Sequence, residues 1–416
     1  MEKERFRLAI IGGGASGMLA AISAAMILPG GDIILLEKNP ELGKKLLATG
    51  NGRCNLSNQG CRYMDYQAGG SLAPRQILSK ISASDTIAFF DEIGLMTRED
   101  DDGRMYPYTE QAITVRDLLV KELAFLGVFV RTGDAVTEIS DGVTDGDSSF
   151  SIRLSSGDSI YTDAVVVATG GKAGGQFGSD GDGYGFAKSF GHTLIRPRPG
   201  LVPLIVKDWN HKELKGVRVK CSIALERKGE RIVERRGELQ FAEYGISGIC
   251  VFDVSRFLDV DEPEVDAVID FFPEITVKDL TAKLFARAVA FATRPPESLL
   301  EGMLHQKLIP FFLPDGDDVN PEKLARYLKN WRIPIAGTKG WKEAQVTVGG
   351  INCEEVYQHT LGSRKKAGLY FAGEVLDVDG PCGGWNLQWA WSSGFAAGES
   401  AALWAAGSAT EREDMK

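Results

Sequence analysis

Short apolar runs and glycine-rich breaks alternate at the start of the chain, in RLAIIGGGASGMLAAISAAMILPGGDIILLEK. The run Leu8–Ile11 has the length of a buried parallel strand, and the apolar stretch after Gly17 is long enough for a helix. A second strand-like run ends at Glu37. The pattern predicts strand, glycine turn, helix and strand, which is a folded βαβ unit rather than a signal peptide or a membrane anchor.

Further strands and helices are predicted along the rest of the chain. Alternating or apolar segments with turn residues between them, VFVRTGDAVTEI, SFSIRLSSG and SIYTDAVVVATGG, predict a small antiparallel meander that returns to a core strand at 164–168. Strand-like runs follow from Leu201 to Phe272, and helical spacing interrupted by prolines follows from Val277 to Trp331. A last strand is predicted at Leu369–Ala372, with a helix after the glycines that follow it.

Composition limits the class of protein. The chain has 416 residues, 44% hydrophobic and 25% charged, with a net charge of −10. These values are typical of a globular protein of two or three domains and exclude a disordered or fibrous one. The negative balance and the lack of a long Lys/Arg block argue against nucleic-acid binding. Six cysteines without a C-x-x-C pair and four scattered histidines predict reduced thiols in a cytoplasmic protein and no metal site.

The first glycine turn carries the G-x-G-x-x-G spacing at Gly12, Gly14 and Gly17. A strand before it, a helix after it and an acid at the end of the next strand distinguish a dinucleotide site from a chance glycine turn. Gly12 is expected to permit the tight turn, and Gly14 to let the backbone approach a pyrophosphate closely. Gly17 is expected to let the helix lie against the strand. Glu37 is expected to bind ribose hydroxyls. Since no other glycines repeat this spacing, a second dinucleotide domain of this type is not expected.

A basic, glycine-rich loop, GKKLLATGNGRCNLSN, follows the Glu37 strand directly. Its Lys44, Lys45 and Arg53 are candidates to neutralise the pyrophosphate. The alternative is a solvated basic loop that binds no ligand.

Sequence blocks spread over nearly the whole chain resemble one family of flavoproteins. The blocks are IGGGASG, LLEKNPELGKKLLATGNGRCNLSN, EDDGRMYP, VVVATGGKAGGQFGSDGDGYGFAKSFGH, GELQFAEYGISG and GLYFAGEVLDVDGPCGGWNLQWAWSSGFAAG. They resemble the BaiN-like or YhiN-like FAD-dependent flavoproteins, also described as aminoacetone oxidase-family FAD-binding enzymes. The resemblance implies an α/β fold with a glutathione-reductase-like FAD-binding Rossmann domain at 1–195 plus 336–416, an inserted β-barrel-like domain at 196–275 and a small helical domain at 276–335.

The second glycine turn, PCGGWNLQWAWSSG, is then assigned to the other end of FAD. The strand before it ends at Gly373 and Glu374, a position where ligands of open α/β sheets bind. A helix that starts near Asn386, behind Gly383 and Gly384, would direct its free N–H groups and its dipole at the pyrimidine side of the flavin. The alternative is an ordinary buried helix with a glycine cap.

The predicted contacts to non-covalently bound FAD come from both ends of the chain. The full set is Gly12, Gly14, Ala15, Ser16, Gly17, Glu37, Lys38, Lys45, Asn51, Gly52, Arg53, Asn55, Val136, Thr169, Gly170, Gly171, Gly373, Glu374, Gly383, Gly384, Asn386 and Gln388. NAD(P)H is considered as a co-substrate, and it would need a site without the G-x-G-x-x-G turn.

Candidate substrate and proton-transfer groups lie in two loops. Arg104 and Tyr106, with Tyr108, combine a cation and two phenols in the stretch DDGRMYPYT, which suits a polar or carbonyl-bearing substrate. The alternative for this stretch is a solvated hairpin. Tyr244 lies with Ser247 in a glycine-bounded turn, and its phenol is a candidate proton donor.

Together these features predict an FAD-dependent oxidoreductase that reduces an activated C=C bond in a small organic substrate, with NAD(P)H considered as the electron donor. Two alternatives stay open. One is a flavin amine oxidase of the aminoacetone oxidase type, and the other is a non-catalytic or RNA-associated flavoprotein. The expected partner is a small molecule, with no membrane and no nucleic acid, and the sequence does not fix the oligomeric state.

Overall fold

The N-terminal apolar run forms an inner strand of a mixed β-sheet. In this computed structural model, residues 4–71, 73–144, 147–259, 261, 264–313 and 319–407 are described. The chain divides into two compact units. Unit 1 comprises Met1–Arg198 and Val346–Lys416, and unit 2 comprises Pro199–Gln345.

The strands in chain order are β1 (Glu4–Ile11), β2 (Ile33–Glu37), β3 (Ser57–Asn58), β4 (Thr97–Glu99), β5 (Arg104–Pro107), β6 (Phe129–Thr132), β7 (Val136–Thr144), β8 (Asp147–Leu154), β9 (Ser159–Val167), β10 (Leu194–Gly200), β11 (Leu204–Val206), β12 (Arg218–Arg227), β13 (Glu230–Ala242), β14 (Gly245–Ser247), β15 (Val265–Asp270), β16 (Trp331–Thr338), β17 (Val346–Ile351) and β18 (Leu369–Phe371).

The α-helices are α1 (Ala15–Ala25), α2 (Ala73–Lys80), α3 (Ala83–Glu92), α4 (Ala112–Phe125), α5 (Asp182–Ser189), α6 (Ile249–Ser255), α7 (Val277–Ala290), α8 (Pro321–Leu328) and α9 (Trp385–Ala406). Within the described part of the chain, no helix is long and apolar enough to cross a membrane.

The sheet of unit 1 combines a parallel half with an antiparallel meander. Its described residues form seven strands in the order β6-β2-β1-β9-β8-β7, with β18 also pairing with β9. β1 runs parallel to β2 and to β9, with Leu8 opposite both Ile33 and Ala164. β7, β8 and β9 are antiparallel neighbours, which confirms the predicted meander from β7 onwards. The start of its first predicted segment is β6, which pairs in parallel with β2. Because parallel strands are buried on both faces, they form continuous apolar runs that the sequence pattern can reveal.

Helices α1 and α9 pack closely through small residues. A Cβ built on Gly394 would lie 2.4 Å from the Ser16 carbonyl oxygen, and one built on Gly398 would lie 2.1 Å from that of Ala20. From the first pair to the second, the residue number increases by four in both helices, so the helices run parallel where they touch. Because α9 begins at Trp385, ahead of this contact, its N-terminus extends about 12–14 Å beyond that of α1 at a rise of about 1.5 Å per residue.

Unit 2 is built around a closed antiparallel barrel. Among its described residues the strand order is β11-β14-β13-β12-β15-β16, and pairing of β11 with β16 closes the ring. Ile223 and Phe241 are fully buried in its core, and Trp331 lies there with them. The interior is therefore filled by side chains.

The predicted three-part division differs from these two units in two places. The segment 276–335, predicted as a separate helical domain, belongs to the barrel's unit, because Leu280 and Leu328 are buried in the same core as the barrel residues. The stretch Trp331–Thr338, predicted partly as helical, is the barrel strand β16. Unit 2 therefore continues to Gln345 instead of ending near 335.

Candidate functional site

The turn between β1 and α1 has no room for a side chain at two of its glycines and open space at a third. Gly12 has a φ of +105°, and a Cβ there would lie 2.5 Å from the Ala168 carbonyl oxygen. A Cβ on Gly17 would lie 1.8 Å from the Gly12 carbonyl oxygen, so no larger residue fits between helix and turn. Gly14 precedes α1 without a side-chain cap, and a Cβ there would have no described atom within 4 Å. The first turn of α1 therefore offers N–H groups beside open space, which suits a bound anion.

Glu37 ends β2 beside this turn, and its carboxylate organises the neighbouring backbone. Oε2 accepts the Gly13 N–H at 2.7 Å. Oε1 accepts the backbone N–H of Asn39 at 2.8 Å and its side-chain N–H at 2.7 Å. A carboxylate has about four acceptor positions, so Glu37 can still accept a hydrogen bond from a ribose hydroxyl.

A cleft opens beside Glu37 and the end of β9. Thr169 lies in its wall, and Thr169 Oγ1 is buried with no hydrogen-bond partner among the described residues. Lys38 lies in the same wall, ion-paired with Asp180 at 2.9 Å and with Asp182 at 2.5 Å. The lining comprises Ile11, Gly12, Leu36, Glu37, Lys38, Asp134, Ala135, Val136, Thr169, Gly178, Asp182 and Phe186. Apolar and polar side chains share this wall, so it can hold a flat ring and also bind hydroxyl groups, as a nucleoside requires.

Two predicted cofactor residues, Lys45 and Glu374, bond to each other. Lys45 Nζ lies 2.6 Å from Glu374 Oε2, and Glu374 Oε1 accepts the Thr347 N–H at 2.7 Å. Gly171 lies against the same groups, since a Cβ there would be 2.9 Å from Glu374 Oε1 and 2.3 Å from Thr347 Oγ1. The lysine predicted to neutralise a pyrophosphate is therefore already paired with a carboxylate in this structure.

The turn before α9 is shaped by contacts within unit 1. Gly384 has a φ of +113°, and a Cβ there would lie 2.4 Å from the Ser57 carbonyl oxygen. Gly383 has a φ of +109°, and its Cβ would lie 3.3 Å from Arg104 Nε. Asn58 Nδ2 donates to the Gly383 carbonyl at 3.1 Å. The close approach that requires glycine at 384 is thus an approach to β3, whereas the sequence analysis assigned it to the flavin ring.

The amides of Asn386 and Gln388, both predicted to contact the flavin, bond to protein groups. Asn386 Nδ2 donates to the Gly380 carbonyl at 2.8 Å, and its Oδ1 accepts the Gly380 N–H at 2.9 Å. Gln388 is fully buried; its Oε1 accepts from Ser57 Oγ at 2.6 Å, and its Nε2 donates to Thr86 Oγ1 at 2.8 Å. These amides hold the turn in place, and the first turn of α9 has no side-chain cap.

The other predicted cofactor residues are spread over five segments of unit 1. Arg53 lies over the ring of Tyr106, with its guanidinium carbon 4.7 Å from the ring centre. The set comprises Ala15 and Ser16 in the first turn of α1, Asn51, Gly52, Arg53 and Asn55 before β3, Val136 at the start of β7, Gly170 after β9, and Gly373 after β18.

Of the predicted catalytic residues, Arg104 and Tyr106 lie on β5 beside the α9 turn. Arg104 is ion-paired with Asp102 at 3.0 Å and lies 3.6 Å from Asp100. Tyr106 is buried. The structure thus brings Arg104 next to Gly383, a proximity that sequence spacing alone did not show.

Tyr244 lies in unit 2, between β13 and β14. Lys339 Nζ is 4.6 Å from the centre of its ring. Burial raises the pKa of Tyr244, and the nearby Glu343 carboxylate adds to the increase. The phenol is therefore protonated at neutral pH and able to donate a proton.

Sequence reasoning passed over two polar groups near the cofactor residues. Thr347 Oγ1 accepts the N–H groups of Lys172 at 2.8 Å and Ala173 at 3.0 Å. Burial raises the pKa of Asp377 to about 6, and repulsion from Asp379 adds to the increase. Both acids belong to the DVDG block, so the sequence could have indicated a buried acidic pair there. Thr347 gives no such signal, because its contacts are to residues far away in the chain. Within the described ranges, no group of three or more His, Cys, Asp and Glu side chains could hold a metal ion.

The geometry of unit 1 fits FAD. Open space beside Gly14 at an uncapped helix N-terminus suits the pyrophosphate, and Glu37, which can accept one more hydrogen bond, lines the nucleoside cleft. The N-terminus of α9, about 12–14 Å beyond that of α1, is available to the far end of so long a molecule. The residues around the α1 turn therefore fit the adenosine and pyrophosphate half of the cofactor.

Comparison with known proteins assigns the chain to a family. Residues 6–400 match the family described as HI0933-like protein Rossmann domain. The chain is 38% identical over 410 residues to the 3-dehydro-bile acid delta(4,6)-reductase of Clostridium scindens, covering 95% of this chain and 99% of that protein. It is 30% identical over 406 residues to the ribosomal RNA dihydrouridine synthase of Escherichia coli, covering 94% and 97%. A protein of the same name from Haemophilus influenzae is 27% identical, covering 93% and 96%.

Solved structures share the fold at low sequence identity. Escherichia coli quinol fumarate reductase FrdA, in a mutated form, matches with a TM-score of 0.52 at 20% identity, covering 100% of this chain and 73% of that chain. The resemblance and the Rossmann fold with an inserted β-barrel-like region, both predicted from the sequence, are confirmed. The chain belongs to the HI0933-like Rossmann-domain family, and it is an FAD-dependent oxidoreductase.

Proposed function

We propose that the protein reduces a C=C bond conjugated to a carbonyl group in a small organic molecule, with NAD(P)H as the source of electrons. The observation that carries the proposal is the 38% identity, over 95% of this chain, to a bile-acid reductase. Bound FAD would supply the hydride-transfer chemistry. The net reaction adds a hydride to the carbon remote from the carbonyl and a proton to the adjacent carbon, so the protein must also provide an acid.

Residues of the chain can bind the substrate and supply the proton. Arg104 lies beside the α9 turn and is the candidate to bind the substrate carbonyl, since a guanidinium is a strong donor to oxygen. Its pairing with Asp102 holds the side chain in position. Tyr244 is the candidate acid because its raised pKa keeps the phenol protonated.

A second candidate is the reduction of uridine in RNA. It is favoured by the two relatives named ribosomal RNA dihydrouridine synthase, which align over 93–94% of this chain. The chemistry is of the same class, because the C5=C6 bond of uracil is conjugated to a ring carbonyl. The net charge of −10 weighs against this candidate, since binding to an RNA backbone depends on basic surface.

Anaerobic flavin spectroscopy separates the alternatives. The purified protein is reduced with NADH or NADPH and then mixed with a 3-oxo-Δ4 steroid, with cyclohexenone or with a uridine-containing RNA transcript. We expect rapid flavin reoxidation by an enone and formation of the saturated ketone. Reoxidation by RNA alone would support the second candidate. Flavin reduction by aminoacetone followed by reoxidation with oxygen would indicate an oxidase, and inertness to every substrate would indicate a non-catalytic flavoprotein.

The acid is tested by a matched pair of variants. Tyr244→Phe should slow enone reduction by at least about 100-fold, the low end of the contribution of general acid catalysis. Tyr327→Phe removes an exposed phenol elsewhere in unit 2 and should leave the rate unchanged. Equal rates in the two variants would exclude Tyr244 as the proton donor.

A further inference from the structure

Helix α7 of unit 2 buries a narrow face and exposes an apolar one. Leu280 and Leu284 are fully buried in the core that α7 shares with the barrel. Away from these leucines, Phe285 is 63% exposed and Val289 is 66% exposed. A helix that packs on a core through one face usually presents charged or polar residues on the other. The outer face of α7 therefore differs from an ordinary solvated surface.

The exposed apolar residues of α7 form one continuous surface. Residues spaced at i, i+3, i+4, i+7 and i+8 lie on the same face of a helix. The residues of α7 at this spacing are all exposed and all apolar, and we call them the α7 stripe: Ala282, Phe285, Ala286, Val289 and Ala290. Single exposed apolar residues are common, but a contiguous apolar patch indicates a site of interaction.

The α7 stripe is held in place by contacts at both ends of the helix. At the start, Thr276 Oγ1 accepts the Asp279 N–H at 3.1 Å and caps the first turn. Near the end, the Arg287 guanidinium donates to the carbonyl oxygens of Leu299 at 2.8 Å and Ser298 at 2.9 Å. A partner can therefore bind a surface that is already formed, which lowers the entropic cost of association.

The charges around the stripe indicate the kind of partner. Of the described residues that flank it, the exposed charged ones are three acids and three bases: Glu274, Asp279, Glu297, Lys278, Lys283 and Arg294. An anionic membrane attracts surfaces with an excess of Lys and Arg, which this balanced rim lacks. The net charge of −10 weighs against a membrane as well. A partner with its own balanced set of charges fits better.

We propose that the α7 stripe binds the same stripe of a second copy of this chain, with the two α7 helices antiparallel about a twofold axis near Ala286. Asp279 then lies towards Arg294 of the partner subunit, and Lys278 towards Glu297 of the partner subunit. The two helix dipoles are also opposed, which is favourable. A parallel arrangement would instead bring like charges together. Since one helix from each copy should bury less than the roughly 800 Å² per partner of a standard interface, we expect a reversible dimer with a dissociation constant in the micromolar range.

Sedimentation velocity of the full-length holoprotein tests the dimer. Between about 1 and 100 μM, around the expected dissociation constant, the wild type should shift from monomer to dimer. Phe285→Asp should raise the dissociation constant at least about tenfold, because it places a charge in the centre of the apolar contact. Phe125→Asp is the matched control, since Phe125 is 84% exposed at the end of α4 in unit 1. The control should dimerise like the wild type.

A cross-linking experiment tests the antiparallel arrangement and does not depend on an introduced charge. Near the axis, Ala286→Cys faces its own copy, so oxidation with copper phenanthroline in air should give a disulfide-linked dimer. Ala282→Cys lies four residues from the axis, which separates the two copies of that residue by about 12 Å along the helices, too far for a disulfide. Ala282→Cys should therefore remain monomeric on a denaturing gel.

Three results would overturn the proposal. The first is a wild-type protein that stays monomeric over the whole concentration range, and the second is equal weakening of the dimer by Phe285→Asp and Phe125→Asp. The third is binding of a monomeric wild type, but not of Phe285→Asp, to vesicles of phosphatidylcholine and phosphatidylglycerol, which would assign the stripe to a membrane surface. Equal cross-linking of the two cysteine variants would reject the antiparallel arrangement about Ala286. None of these measurements uses a substrate, so they are independent of the proposed reaction.

Discussion

The two glycine-rich turns of unit 1 have similar sequences but need glycine for different reasons. At α1, a Cβ on Gly17 would lie 1.8 Å from the Gly12 carbonyl oxygen, so no side chain fits there, while the space beside Gly14 is open. At α9, a Cβ on Gly384 would lie 2.4 Å from the Ser57 carbonyl oxygen, so no side chain fits there either. No described glycine of that turn has the open space seen at Gly14. The carboxamide oxygen of Asn55 also lies against this turn, 3.0 Å from a Cβ built on Gly384.

This difference shows that a glycine pattern does not by itself separate a packing role from a ligand role. In the first turn one glycine lies beside space for an anion, and the others fix the geometry around it. In the second turn, contacts with β3 and with the Arg104 and Trp385 side chains account for the glycines. Substitutions that replace these glycines by alanine or valine can therefore distinguish the two turns.

The largest effect is expected at Gly17. Gly17→Ala places a Cβ against the Gly12 carbonyl oxygen, and the backbone of the turn must shift to relieve the contact. We expect destabilisation of more than about 3 kcal/mol, exceeding the helix-propensity gain of about 1 kcal/mol from replacing glycine by alanine. Thermal unfolding followed by circular dichroism measures the change.

Gly14→Val is the contrasting variant in the same turn. Gly14 has a φ of −79° and a ψ of −169°, which valine can adopt, and a Cβ there would have no described atom within 4 Å. The protein should fold with stability within about 1 kcal/mol of the wild type, yet lose its yellow flavin because the side chain fills the anion space. Full flavin content in this variant would mean that the pyrophosphate binds elsewhere.

The second effect concerns the α9 turn. Gly384→Ala combines a φ of +113° with a Cβ 2.4 Å from the Ser57 carbonyl, so we expect roughly 2–4 kcal/mol of destabilisation. Gly383→Ala has a similar φ of +109°, but its Cβ meets only side-chain atoms, Arg104 Nε at 3.3 Å and the Trp385 ring at 3.5 Å, and it should be milder by about 1–2 kcal/mol. The difference between the free energies of unfolding of the two variants, measured in urea, gives the cost of the contact with the Ser57 carbonyl. Equal destabilisation would mean that backbone strain alone requires these glycines.

Local features of the site could be predicted from the sequence. Strand, turn, helix and acid in the first unit lie within 30 residues of one another, and β2 does end at Glu37. The sequence predicts the start of α9 near Asn386, and the helix begins at Trp385. Apolar runs and glycine spacing encode such local structure directly.

Contacts between distant segments could not be predicted. The reason for glycine at 384 is a carbonyl at Ser57, and the partner of Lys45 is Glu374, 329 residues away. Helical spacing in Val277–Trp331 did reveal α7 and α8, but whether these helices pack on the barrel depends on side-chain contacts that periodicity does not encode.

The smallest expected effect concerns the acids beside the two turns. Glu37, at the α1 turn, accepts N–H groups at 2.7–2.8 Å, whereas Asp377, before the α9 turn, is buried near a second acid. Burial and Asp379 raise the pKa of Asp377 to about 6, while Arg198 and the Gly349 N–H oppose the increase. The ordinary value for an unfolded chain is about 3.9. The charged carboxylate is thus the destabilising form in the folded protein.

The sign of the pH dependence follows from this difference. As the pH falls through about 6, the folded protein takes up a proton that the unfolded chain does not bind until about pH 3.9, so the free energy of unfolding rises. Between pH 8 and pH 5 this group should contribute roughly 1–2 kcal/mol, at about 1.36 kcal/mol per pH unit below the folded pKa. Asp377→Asn should remove that part of the rise, and Asp379→Asn should reduce it by lowering the pKa of Asp377. Urea unfolding at the two pH values measures the difference, and identical pH dependence in wild type and Asp377→Asn would show that the buried acid does not titrate in this range.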